Sequence, residues 1–402
     1  MTSESPPTRA DLLRMLTEAC ELEHGLACSY LYAAMSLRQE PAGRKLPADK
    51  LPLIRQWGAQ VYFIASQEML HLAQAWNLLT AIGGTPYYLR PNFPQNSRYY
   101  PLHLGLALEP YGERSLQRFI SYETPAALSD EHAFVQSWIK PRGADRAREF
   151  RTIGELYQSI RRGLAALPNA FIGNPADQVG PDLIDFPDIV RVVDLASAER
   201  AIDRVTHQGE GNRTDRADCH FGIFIALHRA LRNERTRNPR FSPAYPAMTN
   251  PTTDAAEDYG APRARLIRRD EAKRIAHLFD ALYSLMLRML GYTFTPGGNT
   301  AARCTFGQSA IVLMATVLKP LGERLTQIPA GQGAGGLTAG PPFGLTRHVC
   351  LPADASAATA LVSERLTDVL REVTRLAASP SAPAGLSRIS SALQRISGLV
   401  AP

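Results

Sequence analysis

The stretch Glu68-Met69-Leu70-His71-Leu72-Ala73-Gln74-Ala75-Trp76-Asn77-Leu78-Leu79, closed by Gly83-Gly84-Thr85-Pro86, decides how the rest of the chain is read. Its apolar residues recur at spacings of three and four, the period of a helix with one buried face. The stripe Ile64, Glu68, His71, Ala75, Leu78 places a carboxylate and an imidazole inside that face. The glycine pair and the proline are a C-terminal stop, so the helix runs from about Leu53 to Ile82. A buried charge without a partner costs several kcal/mol, so something must meet Glu68 and His71.

Upstream, a helix from Asp11 to Leu37 carries the stripe Leu12, Leu16, Ala19, Glu23, Leu26, Tyr30, again with one carboxylate among apolar neighbours. Pro41 and Pro47 separate it from the next helix. Downstream, residues 85–112 are rich in Pro, Tyr and Asn and read as a long wrapping loop. A short helix follows from Gly112 to Glu123 and ends at Pro125, and a third long helix spans Arg146 to Leu167. Ile189 to Val193 is a short β-like patch. A fourth helix runs from Ala198 to Gly209 and resumes from Asp218 to Asn233. A carboxylate helix followed by a carboxylate–histidine helix therefore occurs twice: Glu23 with Glu68-x-x-His71, then Glu155 with His207-x-x-Glu210.

Glu and His at i and i+3 share a helix face and can reach one metal ion. Four-helix carboxylate proteins build a two-metal site from this element, one Glu from each of two helices and a Glu-x-x-His from each of the others. Carboxylate with imidazole suits Fe, Mn or Zn. The competing reading of Glu68 and His71 is a surface pair beside Gln67 and Gln74; the striped Glu23 weighs against it. Glu155 reads equally as a solvated glutamate or a ligand. His207-x-x-Glu210 reverses the usual order, and His220, among apolar residues, reads first as a core histidine.

Composition narrows the class. In 402 residues, 45% apolar and 20% charged are ordinary values for a globular chain and exclude wholesale disorder. Lys and Arg number 44 against 38 Asp and Glu, and no run of five like charges occurs, so no nucleic-acid partner is expected. No apolar run near ~18 residues was found, and the polar N-terminus lacks a signal-peptide core; neither a membrane span nor export is expected. Five cysteines, odd in number and without a CxxC, fit a reducing cytoplasm. Beyond a connection at 236–265, helices at Asp270–Met289, Ser309–Ile328 and Ala355–Leu376 follow, with a Gly-rich segment at 329–350 expected to be mobile or to act as a cover. The expected class is all-α, with residues 10–235 forming a metal-binding bundle and residues 236–402 a connection and helical extension packed on it.

Longer strings resemble a known family. Glu21-Leu22-Glu23-His24-Gly25-Leu26-Ala27-Cys28-Ser29-Tyr30-Leu31, the Glu68–Leu79 string with its Gly-Gly-Thr-Pro stop, Thr152-Ile153-Gly154-Glu155-Leu156-Tyr157, His207-Gln208-Gly209-Glu210-Gly211, Cys219-His220-Phe221, Val317-Leu318-Lys319-Pro320-Leu321 and Gly336 to Phe343 are similar to a bacterial ferritin-like family. That family includes the iminophenyl-pyruvate dimer synthases of bisindole biosynthesis, and the likeness covers roughly residues 10–375. It implies a ferritin-like four-helix bundle with a helical C-terminal extension. It also implies two transition-metal ions, iron first and manganese second, ligated by Glu23, Glu68, His71, Glu155, Glu210 and His220. His207 stands where relatives are expected to carry an acid.

The activity implied is a metal-dependent oxidoreductase of secondary metabolism, acting on a small amino-acid-derived substrate by oxidative coupling or another dioxygen- or peroxide-dependent oxidation. The alternative is a ferroxidase or storage protein without an organic substrate. The dimer synthases are larger proteins, so their exact reaction is not carried over. Haem, used by some enzymes of bisindole assembly, stays open through His24 or His103. Tyr30, Tyr62, Trp76, Phe221 and Phe224 are expected around a substrate pocket or in the bundle core. Arg161 and Arg162 are read as a substrate-carboxylate clamp or a solvated face. A monomer or small homo-oligomer is expected.

Overall fold

The computed structural model describes residues 7–95, 105–125, 150, 152–186, 188–209, 218–255, 265–345, 349–378 and 385–400. Among these residues the fold is helical, and β-pairing is confined to isolated bridges. Helix α1 (Arg9–Met35) is opened by Thr8, whose hydroxyl accepts from the Asp11 amide at 3.2 Å while the Asp11 carboxylate accepts from the Thr8 amide at 2.9 Å. Such reciprocal capping satisfies amides that the first turn leaves without partners. Helix α2 (Leu51–Ala81) stops where the sequence said: Gly83 takes φ 88°, and the Gly84 amide donates to the Leu79 carbonyl at 2.9 Å. The two helices are antiparallel. Gly58 near the start of α2 meets Leu37 just past α1, and Gly84 past the end of α2 meets Leu13.

Helix α3 (Glu113–Tyr122) packs on α6 (His220–Arg237); α4 (Ile153–Ala166) packs on α1; and α5 (Leu195–Gly209) packs on α4 and α2. Tyr30 of α1, Phe119 of α3 and Phe224 of α6 pin these elements together, with ring centroids 4.6, 4.9 and 5.1 Å apart. These helices are the expected ferritin-like four-helix bundle, all-α and elaborated. The third long helix is shorter at its start than expected. Thr152 caps it, and residues 126–149 lie outside the described residues.

The patch Ile189–Val193 forms no strand. Its backbone groups are met by carboxamides on α2: Gln74 both donates to and accepts from Val190 at 2.9 Å, and Asn77 donates to Val179 and Val190 at 2.8 and 2.9 Å. Two buried amides thus take the place of a neighbouring strand, which is why a β-like pattern ends as a strap.

The extension comprises α7 (Asp270–Phe294), α8 (Thr300–Leu313), a π-helical turn (Met314–Leu318), α9 (Lys319–Leu325), α10 (Ala355–Ala377) and α11 (Leu386–Val400). It reaches the bundle through α7 and α9, where Thr326 donates to the last carbonyl of α1, Met35, at 2.9 Å. The continuous helix Thr300–Leu325 is long and apolar enough to cross a membrane by length and composition, although no such span was expected; 44% of its most apolar window is buried inside the protein. Over residues 329–345 the Gly-rich segment is built rather than loose. Ala330 and Ala339 donate to Leu337 and Ile328 at 3.0 and 2.8 Å, Met248 donates to Thr338 at 2.9 Å, and Gly333, Gly335 and Gly336 turn the chain at positive φ.

Candidate metal centre

Glu68 stands at the middle of a buried cluster. Its Oε2 lies 3.2 Å from His71 Nδ1, one turn further along α2, and its Oε1 lies 2.8 Å from Nδ1 of His220, the first residue of α6. Glu23 of α1 approaches His71 Nδ1 at 3.6 Å, and Glu123, at the C-terminal cap of α3, approaches His220 Nδ1 at the same distance. Two triads result, Glu23–Glu68–His71 and Glu68–Glu123–His220, each with donor atoms within 4.8 Å of one another. Glu68 belongs to both. All five residues are at most 3% exposed.

Each half is held from outside in the same way. His71 Nε2 lies 3.0 Å from Gln208 Oε1 at the end of α5, and His220 Nε2 lies 3.0 Å from Gln67 Oε1. A carboxamide oxygen only accepts, so each ring keeps a proton on Nε2 and presents Nδ1 to the cluster. Tyr157 of α4 donates to Glu23 at 2.7 Å, and Tyr30 donates to Glu123. Burial and the adjacent carboxylates hold both phenols well above the ordinary tyrosine range, so they remain donors.

The electrostatics show what the cluster asks for. Burial raises Glu23 to about 8, with the neighbouring Glu68 charge adding to it. Burial also opposes charge on Glu68, His71 and His220, but their mutual attraction wins: Glu68 is held below the usual carboxylate range and His71 well above the usual imidazole range. His220 rises to about 9 by the same attraction to Glu68 and Glu123. Without ions, protons do the neutralising.

The geometry is nevertheless poor for hydrogen bonding. Glu68 Oε1 and His220 Nδ1, although 2.8 Å apart, are both buried without a hydrogen-bond partner. Two donor atoms this close, buried and badly aligned for a hydrogen bond, are placed as ligands of one cation would be. The set of three carboxylates and two imidazoles suits first-row transition metals such as iron or manganese, and the residues present fit a pair of such ions.

Of the residues singled out from sequence, Glu23, Glu68, His71 and His220 are brought together. Glu155 is not in either triad. It lies at the third position of α4, half-buried, with its amide on the Thr152 hydroxyl, and the carboxylate that closes the second half is Glu123. Glu210 lies outside the described residues. His207 is exposed, and its neighbour Gln208 is the residue that reaches the site. His24 is committed elsewhere: Nδ1 bonds the Tyr88 carbonyl at 2.8 Å and Nε2 accepts from Tyr283, so it offers no nitrogen to haem. His103 lies outside the described residues. Tyr30 and Phe224 underlie the cluster, whereas Tyr62 and Trp76 line a different cavity. Arg161 pairs with Asp203 and Arg162 donates to Ser159 at 2.8 Å on an exposed face, so neither forms a clamp here.

Comparisons with known proteins agree with this fold. A family model described as "Ferritin-like" matches residues 16–229. The chain is 30% identical to dichlorochromopyrrolate synthase of Lentzea aerocolonigenes over 89% of its own length and 38% of that protein's. It is 28% identical to 2-imino-3-(indol-3-yl)propanoate dimerase of Chromobacterium violaceum over 84% of its own length and 34% of that protein's. The chain thus spans little more than a third of the length of these relatives. A crystal structure of a ferritin-like protein from Caulobacter vibrioides superposes with a TM-score of 0.53 at 20% identity, covering 85% of this chain and all of that one, a likeness of fold.

Proposed function

We propose that this chain, which belongs to the ferritin-like family, is a dimetal oxidoreductase acting on a small amino-acid-derived aromatic substrate in secondary metabolism. The observation that carries the reading is the sharing of Glu68 between two histidines, with Glu23 and Glu123 outside them. A pair of redox-active ions, when bound there, would supply electrons for activating dioxygen or peroxide. The chain's own residues would do the rest. Glu23, Glu68 and His71 would hold one ion and Glu68, Glu123 and His220 the other. Gln208 and Gln67 fix the two imidazoles, and Tyr157 and Tyr30 fix the outer carboxylates. The free space at the cluster is about 20 Å³, bounded by Leu26, Ile153 and Val205 among others, which is room for a water-sized reactant.

The names of the two relatives point to indole-derived imino acids and their products as the substrate class. Coupling two such molecules removes electrons and protons, which the dioxygen or peroxide takes up. The test is metal-free protein reconstituted anaerobically with ferrous iron, then given oxidant with and without 2-imino-3-(indol-3-yl)propanoate. Oxidant consumption in proportion to organic product is expected. Two bound irons with no substrate-dependent consumption, or accumulation of an iron mineral, would leave the storage reading in its place.

A further inference from the structure

On the far side of α1 and α2 from the carboxylates lies a cavity of about 540 Å³, well within the range of small-molecule sites. On α1, His24, Cys28, Leu31 and Met35 face it, a stripe roughly a quarter-turn or more from Glu23. On α2, Tyr62, Met69, Ala73 and Trp76 face it, away from the Glu68–His71 stripe. The opposite wall is the extension: Phe279, Met286, Phe294 and the π-helical turn, with Met314, Ala315 and Leu318 lining. A π-helical turn interrupts the helix where it forms the wall, a distortion that recurs at functional sites.

The lining states what would bind. Four of the chain's eight methionines, Met35, Met69, Met286 and Met314, line this one space together with several aromatic rings. Thioethers adapt to a ligand's shape and make favourable contacts with ring edges. The polar end is already satisfied. Tyr283 donates to His24, its oxygen accepts from Arg90 at 3.2 Å and lies 3.1 Å from Cys28 Sγ, and Arg90 also donates to the Phe343 carbonyl at 2.7 Å. Among the described lining residues, His24, Cys28 and Tyr283 are thus engaged with one another; Arg90, whose Nε is buried without a partner, is not among the residues that line the cavity. Lys319, the charged side chain of the lining, lies 3.6 Å from Glu323 and 4.8 Å above the Tyr62 ring. A charged ligand would lose its hydration with nothing to replace it.

We infer that this cavity is a binding site for an uncharged planar aromatic molecule, held by dispersion and sulfur–ring contacts and separated from the metal centre by the α1–α2 wall. The inference does not depend on the proposed function.

Indole is the probe, titrated by calorimetry into the full-length protein, with tryptophan as its charged counterpart. Saturable indole binding and no tryptophan binding are expected. Ala73→Trp fills the buried wall and Ala315→Trp the exposed mouth; each should weaken indole by more than about tenfold. Ala315 is exposed, so its variant should fold even if the Ala73 variant does not. Glu68→Gln should leave indole binding unchanged. No saturation up to the solubility of indole, unaltered binding in folded Ala315→Trp, equal binding of tryptophan, or loss of indole in folded Glu68→Gln would each overturn the inference.

Discussion

Replacing Glu68 by Gln keeps the shape of the side chain and removes the one charge that both triads share. In the metal-free protein His220 stands at about 9 instead of 6.5, a rise that corresponds to roughly 3 kcal/mol. Glu68 Oε1 lies 2.8 Å from its Nδ1 and Glu123 3.6 Å, so Glu68 supplies the larger part. The variant should therefore lose about 2–3 kcal/mol of metal-free stability near neutral pH. The sign follows from a histidine raised in the fold. Its stabilisation is complete below 6.5 and fades as pH rises through about 9, so the deficit should shrink by alkaline pH. Urea unfolding of metal-free wild type and variant at about pH 6.5 and about pH 9.5 reads both points. Metal analysis after loading should show at least one ion lost. A variant as stable as wild type at the lower pH that still holds two ions would refute the shared-carboxylate argument.

Glu123→Ala should lower metal content, while Glu155→Ala should leave it near wild type; elemental analysis after iron loading compares them, and the reverse ranking would mean the second half-site is misplaced. Tyr157→Phe removes the 2.7 Å donor to Glu23 and should weaken metal binding by roughly 10–100-fold, measured by chelator competition. Metal loading should release protons, because Glu23 at about 8 and His220 at about 9 are protonated near neutral pH; affinity should climb with pH until about 9, and calorimetry in buffers of different ionisation heat counts the protons. Glu210→Ala tests whether the residue after Gln208 and Gly209 adds a ligand: a drop in metal affinity with helix content unchanged would give it a role, and unaltered affinity would leave the five-residue set complete.

Glu23, Glu68 and His71 were legible because each interrupts an apolar stripe of a long helix, and a buried charge on a regular face needs a partner. Glu123 carries the same signature in miniature. Leu116, Phe119, Ile120 and Glu123 fall at helical spacing, but α3 has only ten residues and Glu123 sits on its cap just before Pro125, where a carboxylate reads as the end of an element. Glu155, singled out from the same kind of string, is in neither triad. It lies within a family-like string but beside, not on, the buried stripe Leu156, Tyr157, Ile160, Leu164. The residue of that string that reaches the site is Tyr157. His220 was ambiguous because its partners, Gln67, Glu68 and Glu123, come from other helices, and no local pattern encodes that convergence.

The centre departs from a symmetrical four-helix site in a way that bears on its chemistry. Three residues before His71 stands Glu68, but three before His220 stands Ala217, so the second Glu-x-x-His is incomplete in sequence. The clustered side chains among the described residues are three carboxylates and two imidazoles, which would leave two divalent ions with net positive charge and with coordination positions that these five residues do not fill. A centre of that kind favours an anionic or oxygen-derived partner at the open positions. The adjoining space is water-sized, so a bulky organic substrate cannot sit among the ligands as the described residues stand. The large aromatic-lined volume lies behind the wall that carries Glu23 on one face and His24 on the next. Helices α1 and α2 therefore separate two environments, a charged one with water-sized free space and an apolar one lined by rings and thioethers. The extension creates the second environment, because α7, the π-helical turn and Phe343 are its far wall. A bundle without the extension would keep the metal centre and lose the cavity. That is why the extension, and not the carboxylate cluster alone, argues for an organic ligand.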